Sequence, residues 1–171
     1  TGVQTCALPI STRTGMKAIV KPDSTPGLVV TDVPEPEIRS DEVLIRVRRA
    51  GICGTDLHIY QWDEWSRSRI RPPLVLGHEF MGEVVEAGSV VTNVEVGDRV
   101  SAECHLACGH CELCRTGNAH VCREIEIVGI DRPGAFAEFV AVPATNIIPI
   151  DRKSTRLNSS HSSLSRMPSS A

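Results

Sequence analysis

The 171-residue sequence predicts a mainly β fold, a single barrel-like unit with short helices and a cysteine-rich lobe. Three observations carry this. Short apolar runs recur along the chain, punctuated by Gly and Pro. One segment reads as a good helix. Four of the seven Cys crowd between Cys108 and Cys122.

The strands come in order. Ala18–Val20 and Leu28–Val33 are the first apolar runs. Pro34, Pro36 and Ser40 mark a loop. Val43, Ile45 and Val47 then alternate with Leu44, Arg46 and Arg48, the period-two signature of a strand with one apolar face. The helix candidate is Thr55–Tyr60, after Gly54. Gly82–Val85, Val90–Val94 and Arg99–Ala102 follow as strands, with a turn at Gly97–Asp98, and Ala135–Val142 closes the series. There is no internal repeat.

Composition excludes several classes. No apolar run approaches the ~18 residues of a membrane helix. The formal charge of −3 argues against a general nucleic-acid surface.

The two ends do not match the middle. Residues 152–171 hold eight Ser, four Lys or Arg and no acid, a composition that cannot bury enough to order itself. Residues 1–11 are uncharged and make a poor signal peptide. Val3–Ile10 (VQTCALPI) and Asp151–Asn158 (DRKSTRLN) can be written as opposite strands of one nucleotide stretch. The expectation is that 1–15 is a non-native flank, adapter-derived at least to residue 11. Likewise 151–171 is expected to be a non-native disordered tail. Between them, Met16 to Ile150 carries 13 Lys and Arg against 20 Asp and Glu, a net charge of −7.

Two constellations carry chemistry. The first is Cys108, Cys111, Cys114 and Cys122, spaced C-x2-C-x2-C-x7-C. Four thiolates close a tetrahedral shell around zinc and leave no open position, which is a structural site. A disulfide set would need a secreted context, and no signal peptide is visible upstream of Met16. Cys104, His105, His110 and His120 lie nearby and read as bystanders, because four Cys already saturate the ion.

The second constellation is dispersed. Cys53 follows the alternating strand, and His78 and Glu79 sit in GHEFMGEVVEAG. A Cys, a His and a carboxylate could leave a fourth zinc position open for substrate. Read alone, they equally describe a buried thiol and a satisfied core histidine.

The residues together resemble a known family. GHEFMGEVVEAGSVV is similar to the zinc signature of medium-chain zinc alcohol dehydrogenases, through Gly77, His78, Glu79, Gly82 and Gly88. The four-Cys lobe has the same family's spacing, and the likeness runs over essentially all of 16–150. It implies the N-terminal domain, a GroES-like, partly open β-barrel. Within the family, CGTDLHIYQWDEWS, the lobe and VGIDRPGAFAEFVAVPATN resemble the branch that oxidises the 3-hydroxyl of L-threonine.

The resemblance assigns roles by position. Cys53 and His78 match catalytic-zinc ligands, and Glu79 matches a carboxylate that is a ligand in some members. Thr55 and His58 match a hydroxyl–imidazole proton relay. Asp56 matches a carboxylate that orients the ligand His. Alone, Thr55 reads as a helix N-cap, His58 as a solvent-facing helical His and Asp56 as a first-turn acid.

The implied cofactors are two Zn2+, one catalytic and one structural, with NAD in the full-length enzyme. The implied partner is a small alcohol or amino-acid substrate, with no nucleic acid and no membrane, in a cytoplasmic homo-oligomer. No strand-borne G-x-G-x-x-G occurs in the chain, so the nucleotide-binding half lies outside it and the chain alone is expected to be inactive. The competing reading is a stand-alone zinc-binding β module with a structural or partner-binding role.

Overall fold

A computed structural model describes residues 15–150. Both expected non-native flanks lie outside the described residues, apart from Gly15.

Among the described residues, ten strands make three sheets. β1 (Met16–Lys21), β2 (Val29–Val33) and β4 (Leu74–Val75) form the first, in the order β2-β1-β4. The second holds β3 (Glu42–Gly51), β5 (Glu79–Ala87), β6 (Arg99–Ala102), β9 (Phe139–Pro143) and β10 (Ile147–Pro149), in the order β10-β6-β5-β3-β9. β7 (His105–Leu106) and β8 (Glu126–Ile127) pair by themselves. The first two sheets join where Ala18 bridges Ala137 and the Ile19 N–H donates to the Phe136 carbonyl at 2.7 Å. The result is the partly open, mainly β barrel that the sequence predicts.

β5 shows why its sequence forms a half-buried strand. Phe80, Gly82 and Val84 point inward and alternate with less buried neighbours. The main core gathers Val43, Ile45, Phe80, Val84, Val100, Val140 and Val142, an almost wholly β-branched and aromatic set. β3 departs from simple alternation. Leu44, expected on the polar face, is 2% exposed, because this face too is covered at the start of the strand. β-bulges between Leu44 and Ile45 and between Val47 and Arg49 break the phase further.

The expected strand Val90–Val94 is not a strand. Its amides go to turns and loops instead, with Val90 N–H on the Ser40 carbonyl and Val91 N–H on the Gly88 carbonyl. The Asn93 side-chain amide donates to the Ala144 carbonyl at 2.8 Å. Val94 is buried in the core and Val91 packs, half-buried, against it. An apolar run there reports an anchored loop.

Glu42 is a buried charge of the barrel. Its carboxylate accepts from Arg132 Nη2 at 2.8 Å, from Arg39 Nη2 at 3.1 Å and from the Arg39 amide at 3.0 Å. Burial pushes its carboxyl up, but these donors more than offset it and leave it below its ordinary value.

Three helices and two 3-10 turns decorate the barrel. α1 (Gly54–Gln61) fits the expected helix, and α3 (Glu112–Arg115) lies in the lobe. α2 (Glu64–Arg69) was not anticipated. It starts because the Asp63 side chain accepts from the Ser66 amide at 2.9 Å, an N-cap written as Asp-x-x-Ser in the sequence. Between α1 and α2, Trp62 closes α1 in the left-handed region at φ 57°. That conformation costs a non-glycine residue ~1–2 kcal/mol. Packing of its indole with Ile59, Ile70, Leu74 and Leu76 offsets the cost. So does Lys21, fully buried, whose ammonium lies 4.8 Å from the indole centroid. Lys21 Nζ also donates to the carbonyls of Gly27, at 3.0 Å, and Thr25. These bonds satisfy a buried cation and tie the 22–28 loop to the end of α1.

Candidate metal centres

The lobe assembles from local turns. Backbone amides point at its sulfurs: Cys111 N–H at Cys108 Sγ (3.4 Å), Cys108 N–H at Cys122 Sγ (3.4 Å) and Glu124 N–H at Cys122 Sγ (3.3 Å). Such donors stabilise thiolates. The four sulfurs all lie within 4.8 Å of one another. Measured separations are 3.5 Å for Cys111–Cys114 and 3.9 Å for Cys108–Cys114 and for Cys111–Cys122. A tetrahedron with ~2.3 Å metal–sulfur bonds has edges of ~3.8 Å, so the shell fits zinc. Backbone hydrogen bonding at Cys114 draws the Cys111 thiol down to about 6, whereas burial, with Cys111 beside it, pushes Cys114 up to about 12. A dication in the shell would let all four sulfurs ionise.

The dispersed site is built by the β3–β5 ladder. The two strands are antiparallel, and their last register pair is Gly51 with Glu79. The C-terminal end of β3 therefore lies beside the start of β5. Cys53 is two residues beyond that pair and His78 one residue before it. Cys53 Sγ and His78 Nε2 are 3.0 Å apart. With Asp56 they form a group whose ligand atoms all lie within 4.8 Å of one another.

Two glycines make this approach possible. Gly77, next to His78, sits at φ 93°, and a Cβ there would meet the Phe136 ring and amide at 2.4 and 2.7 Å. A Cβ on Gly82 would come within 2.3 Å of the Arg46 carbonyl oxygen of β3. The glycines of the GHE-x2-G stretch thus serve the close packing that holds β5 and the turn before it.

Asp56 links the helix to the site. Its Oδ2 accepts from the Cys53 amide at 2.9 Å, so Cys53, and not Thr55, is the N-cap of α1. Asp56 Oδ1 and His78 Nδ1 are both buried and have no hydrogen-bond partner among the described residues. A ligand histidine ordinarily gives its second nitrogen to a carboxylate or carbonyl. That outer bond is not made here, but a thiol, an imidazole nitrogen and a carboxylate within 4.8 Å of one another are donors of the kinds zinc takes, so the group fits a zinc held at Sγ and Nε2. Glu79 does not join the tight group; its carboxylate lies over Gly51, where a Cβ would stand 2.9 Å from Oε2.

Thr55 and His58 lie on α1, just beyond the Cys53 cap. Thr55 is half-buried and His58 exposed. His58 is nonetheless anchored: its Nδ1 is 2.5 Å from Asp63 Oδ2, and Trp65 packs edge-on against its ring at 6.2 Å between centroids. The backbone hydrogen bond from Ser66, reinforced by His58, holds the Asp63 carboxyl below its ordinary value. Sequence reasoning missed Asp63, although Asp-x-x-Ser before α2 was there to be read.

Of the expected bystanders, His110 touches the lobe: its Nδ1 is 2.9 Å from the Cys108 carbonyl, and with Cys108 and Glu124 it forms a group whose ligand atoms lie within 4.8 Å of one another. His105 Nδ1 pairs with Glu103 at 2.7 Å, and His110 Nε2 with Glu124 at 3.3 Å. Burial and the neighbouring Glu103 push the Cys104 thiol up to about 11. His120 is exposed.

The alcohol dehydrogenase GroES-like domain matches residues 39–152. The chain belongs to this family. An L-threonine 3-dehydrogenase of Streptomyces avermitilis is 56% identical over 140 residues, which cover 80% of this chain and 41% of that protein. A zinc-binding dehydrogenase of Sinorhizobium meliloti, solved with NADP, superposes with a TM-score of 0.73 at 37% identity, covering 81% of this chain and 39% of that one. A cobalt- and zinc-bound thermostable alcohol dehydrogenase of Pyrobaculum aerophilum gives 0.68 at 36% identity, with 79% and 41% covered. The chain thus spans about two fifths of the curated relatives it matches. As an alcohol dehydrogenase GroES-like domain it shares the barrel of these relatives, and among the described residues no helix is long and apolar enough to cross a membrane.

Proposed function

We propose that residues 16–150 are the metal-holding, substrate-binding domain of a zinc- and nicotinamide-dependent dehydrogenase that oxidises the 3-hydroxyl of L-threonine. The observation that carries this is the 3.0 Å approach of Cys53 Sγ to His78 Nε2, at the foot of the helix bearing Thr55 and His58. The 56% identity to an L-threonine 3-dehydrogenase supports the substrate.

Cys53 and His78 would hold the catalytic zinc, with Glu79 next in line. Cys108, Cys111, Cys114 and Cys122 would hold the structural one. At the first site zinc supplies Lewis-acid polarisation of the substrate oxygen, and NAD supplies the hydride acceptor. The chain's own groups do the rest. Asp56 fixes the Cys53 backbone and brings its carboxylate beside the Cys53–His78 pair. The Thr55 hydroxyl takes the substrate proton and passes its own to His58, whose exposed imidazole releases one to water. The substrate must lose this proton for the carbonyl to form.

The parent enzyme is a cytoplasmic homo-oligomer in this reading. The flanks 1–15 and 151–171 are non-native in this reading, the first adapter-derived at least to residue 11, and the chain alone is inactive. A stand-alone zinc module would explain the lobe and leave the Cys53–His78 contact without a role.

Metal analysis and kinetics test the proposal. The purified chain should carry two zinc, one of them lost in Cys53→Ser. The complete gene product should reduce NAD with L-threonine, and the 171-residue chain should not. One zinc per chain, unaffected by Cys53→Ser, or NAD reduction by the chain alone would overturn the corresponding part.

A further inference from the structure

The QWDEW stretch has no part in either metal centre, yet two of its residues, Asp63 and Trp65, meet at His58. Trp62 ends α1 and is clamped by Lys21. Asp63, the residue after it, reaches back to His58 Nδ1 at 2.5 Å with Oδ2. Its other oxygen, Oδ1, accepts from the Ser66 amide at 2.9 Å, which fixes the carboxylate's orientation. Trp65 packs edge-on against the same imidazole. His58 is exposed, and an exposed histidine with no partner would sample many rotamers and both neutral tautomers. Here one nitrogen faces a carboxylate and one ring edge faces an indole.

We infer that Asp63 is a positioning residue for His58: it holds the proton on Nδ1 and leaves Nε2 as the nitrogen that accepts. An ionised carboxylate can only accept, so a hydrogen bond to Nδ1 requires a proton there. In the neutral ring that makes Nε2 the lone-pair nitrogen. When Nε2 takes a proton, the ring becomes imidazolium, with the Asp63 charge 2.5 Å away to stabilise it. Loss of the Nε2 proton to water restores the starting tautomer, and Nδ1 keeps its proton throughout. This deepens the relay proposed above and rests on it for its catalytic meaning. The tautomer itself does not depend on that reading.

The experiment is 15N NMR of histidine-labelled, zinc-loaded 171-residue chain, at a pH where the His58 ring is neutral. Expected is a protonated, pyrrole-like Nδ1 and a bare, pyridine-like Nε2. Asp63→Ser keeps a good N-cap for α2 but is too short to reach His58. It should move His58 toward the Nε2-protonated tautomer while the remaining amide spectrum stays in place. Asp63→Asn can still offer an oxygen to Nδ1 and should retain the native tautomer in part. If His58 already carries its proton on Nε2, or if Asp63→Ser leaves the tautomer unchanged, the inference is overturned. In the complete gene product, Asp63→Ser should lower kcat by ~10-fold or more and leave KM for the alcohol unchanged. An unchanged kcat would remove the positioning role. A His58→Ala variant with full rate at every pH would instead sink the relay, and the NMR result would stand.

Discussion

The two candidate metal centres differ in how they are put together. The lobe draws all its ligands from fifteen consecutive residues, Cys108–Cys122, across a short helix and a 3-10 turn, and backbone amides already point at its sulfurs. The other site draws Cys53 and His78 from 25 residues apart, and they meet only because β3 and β5 pair in one register. A local site depends on the metal to hold it. A dispersed site depends on the barrel. Damage should therefore propagate in opposite directions at the two places.

The largest expected effect is at the lobe. Cys111→Ser removes one of four ligands, and structural zinc of this kind is worth ~10–16 kcal/mol of coupled folding. The lobe should lose its zinc and its amide protection, which metal analysis and hydrogen exchange would show. The Cys53 site should keep its metal. Loss of both ions together would mean that the sites are not independent.

Gly82→Ala should do the reverse. A Cβ 2.3 Å from the Arg46 carbonyl must force β3 and β5 apart. About 3 kcal/mol of stability should go, as for other overpacked positions. Zinc at Cys53 and His78 should weaken while the lobe's zinc stays. Titration with a chromogenic chelator would separate the two.

Glu42→Gln tests the barrel without touching either metal. The charge pair with Arg132 is well buried on the Glu42 side, and breaking such a pair costs about 3 kcal/mol. Because the folded carboxyl sits below its ordinary value of 4.5, its contribution is fully present above that pH. It is lost as pH falls through the depressed value. Wild type should lose stability in that acid window, and the variant should lose less. Identical acid profiles in urea melts would remove Glu42 as the cause.

The smallest effect is on rate alone. His58→Ala in the complete gene product should slow oxidation about 10- to 100-fold, most strongly below neutral pH, at unchanged metal content. At higher pH, hydroxide substitutes for the missing base. A pH-independent loss, or altered zinc stoichiometry, would point to a structural role.

Much of this was readable in the sequence, for identifiable reasons. The four-Cys spacing is a local code, so the lobe could be read without a fold. The alternating Val43–Val47 run placed β3 and the Gly82–Val85 run the middle of β5, because strand period is local as well. The helix after Gly54 was visible, but its cap was not. Thr55 is the usual residue type for that position, and Cys53 takes it because Asp56 reaches back to the Cys53 amide. Val90–Val94 misled because an apolar run cannot say whether its amides find a partner strand. α2 and Asp63 were missed because a six-residue helix has too few turns to show a period.

What the sequence determined by itself was the kind of chemistry: thiols and imidazoles at metal-ligand spacing on a β scaffold. What only the tertiary structure decided was which of them meet. Cys53 lies against His78, the Asp56 carboxylate joins them, Glu79 lies over Gly51, and Asp63 holds His58. The physical reason is range. Ligand type, turn glycines and strand period act within a few residues, and the chain writes them down directly. The meeting of residues 25 positions apart is set by strand register and by how closely two backbones can approach, which no single position records.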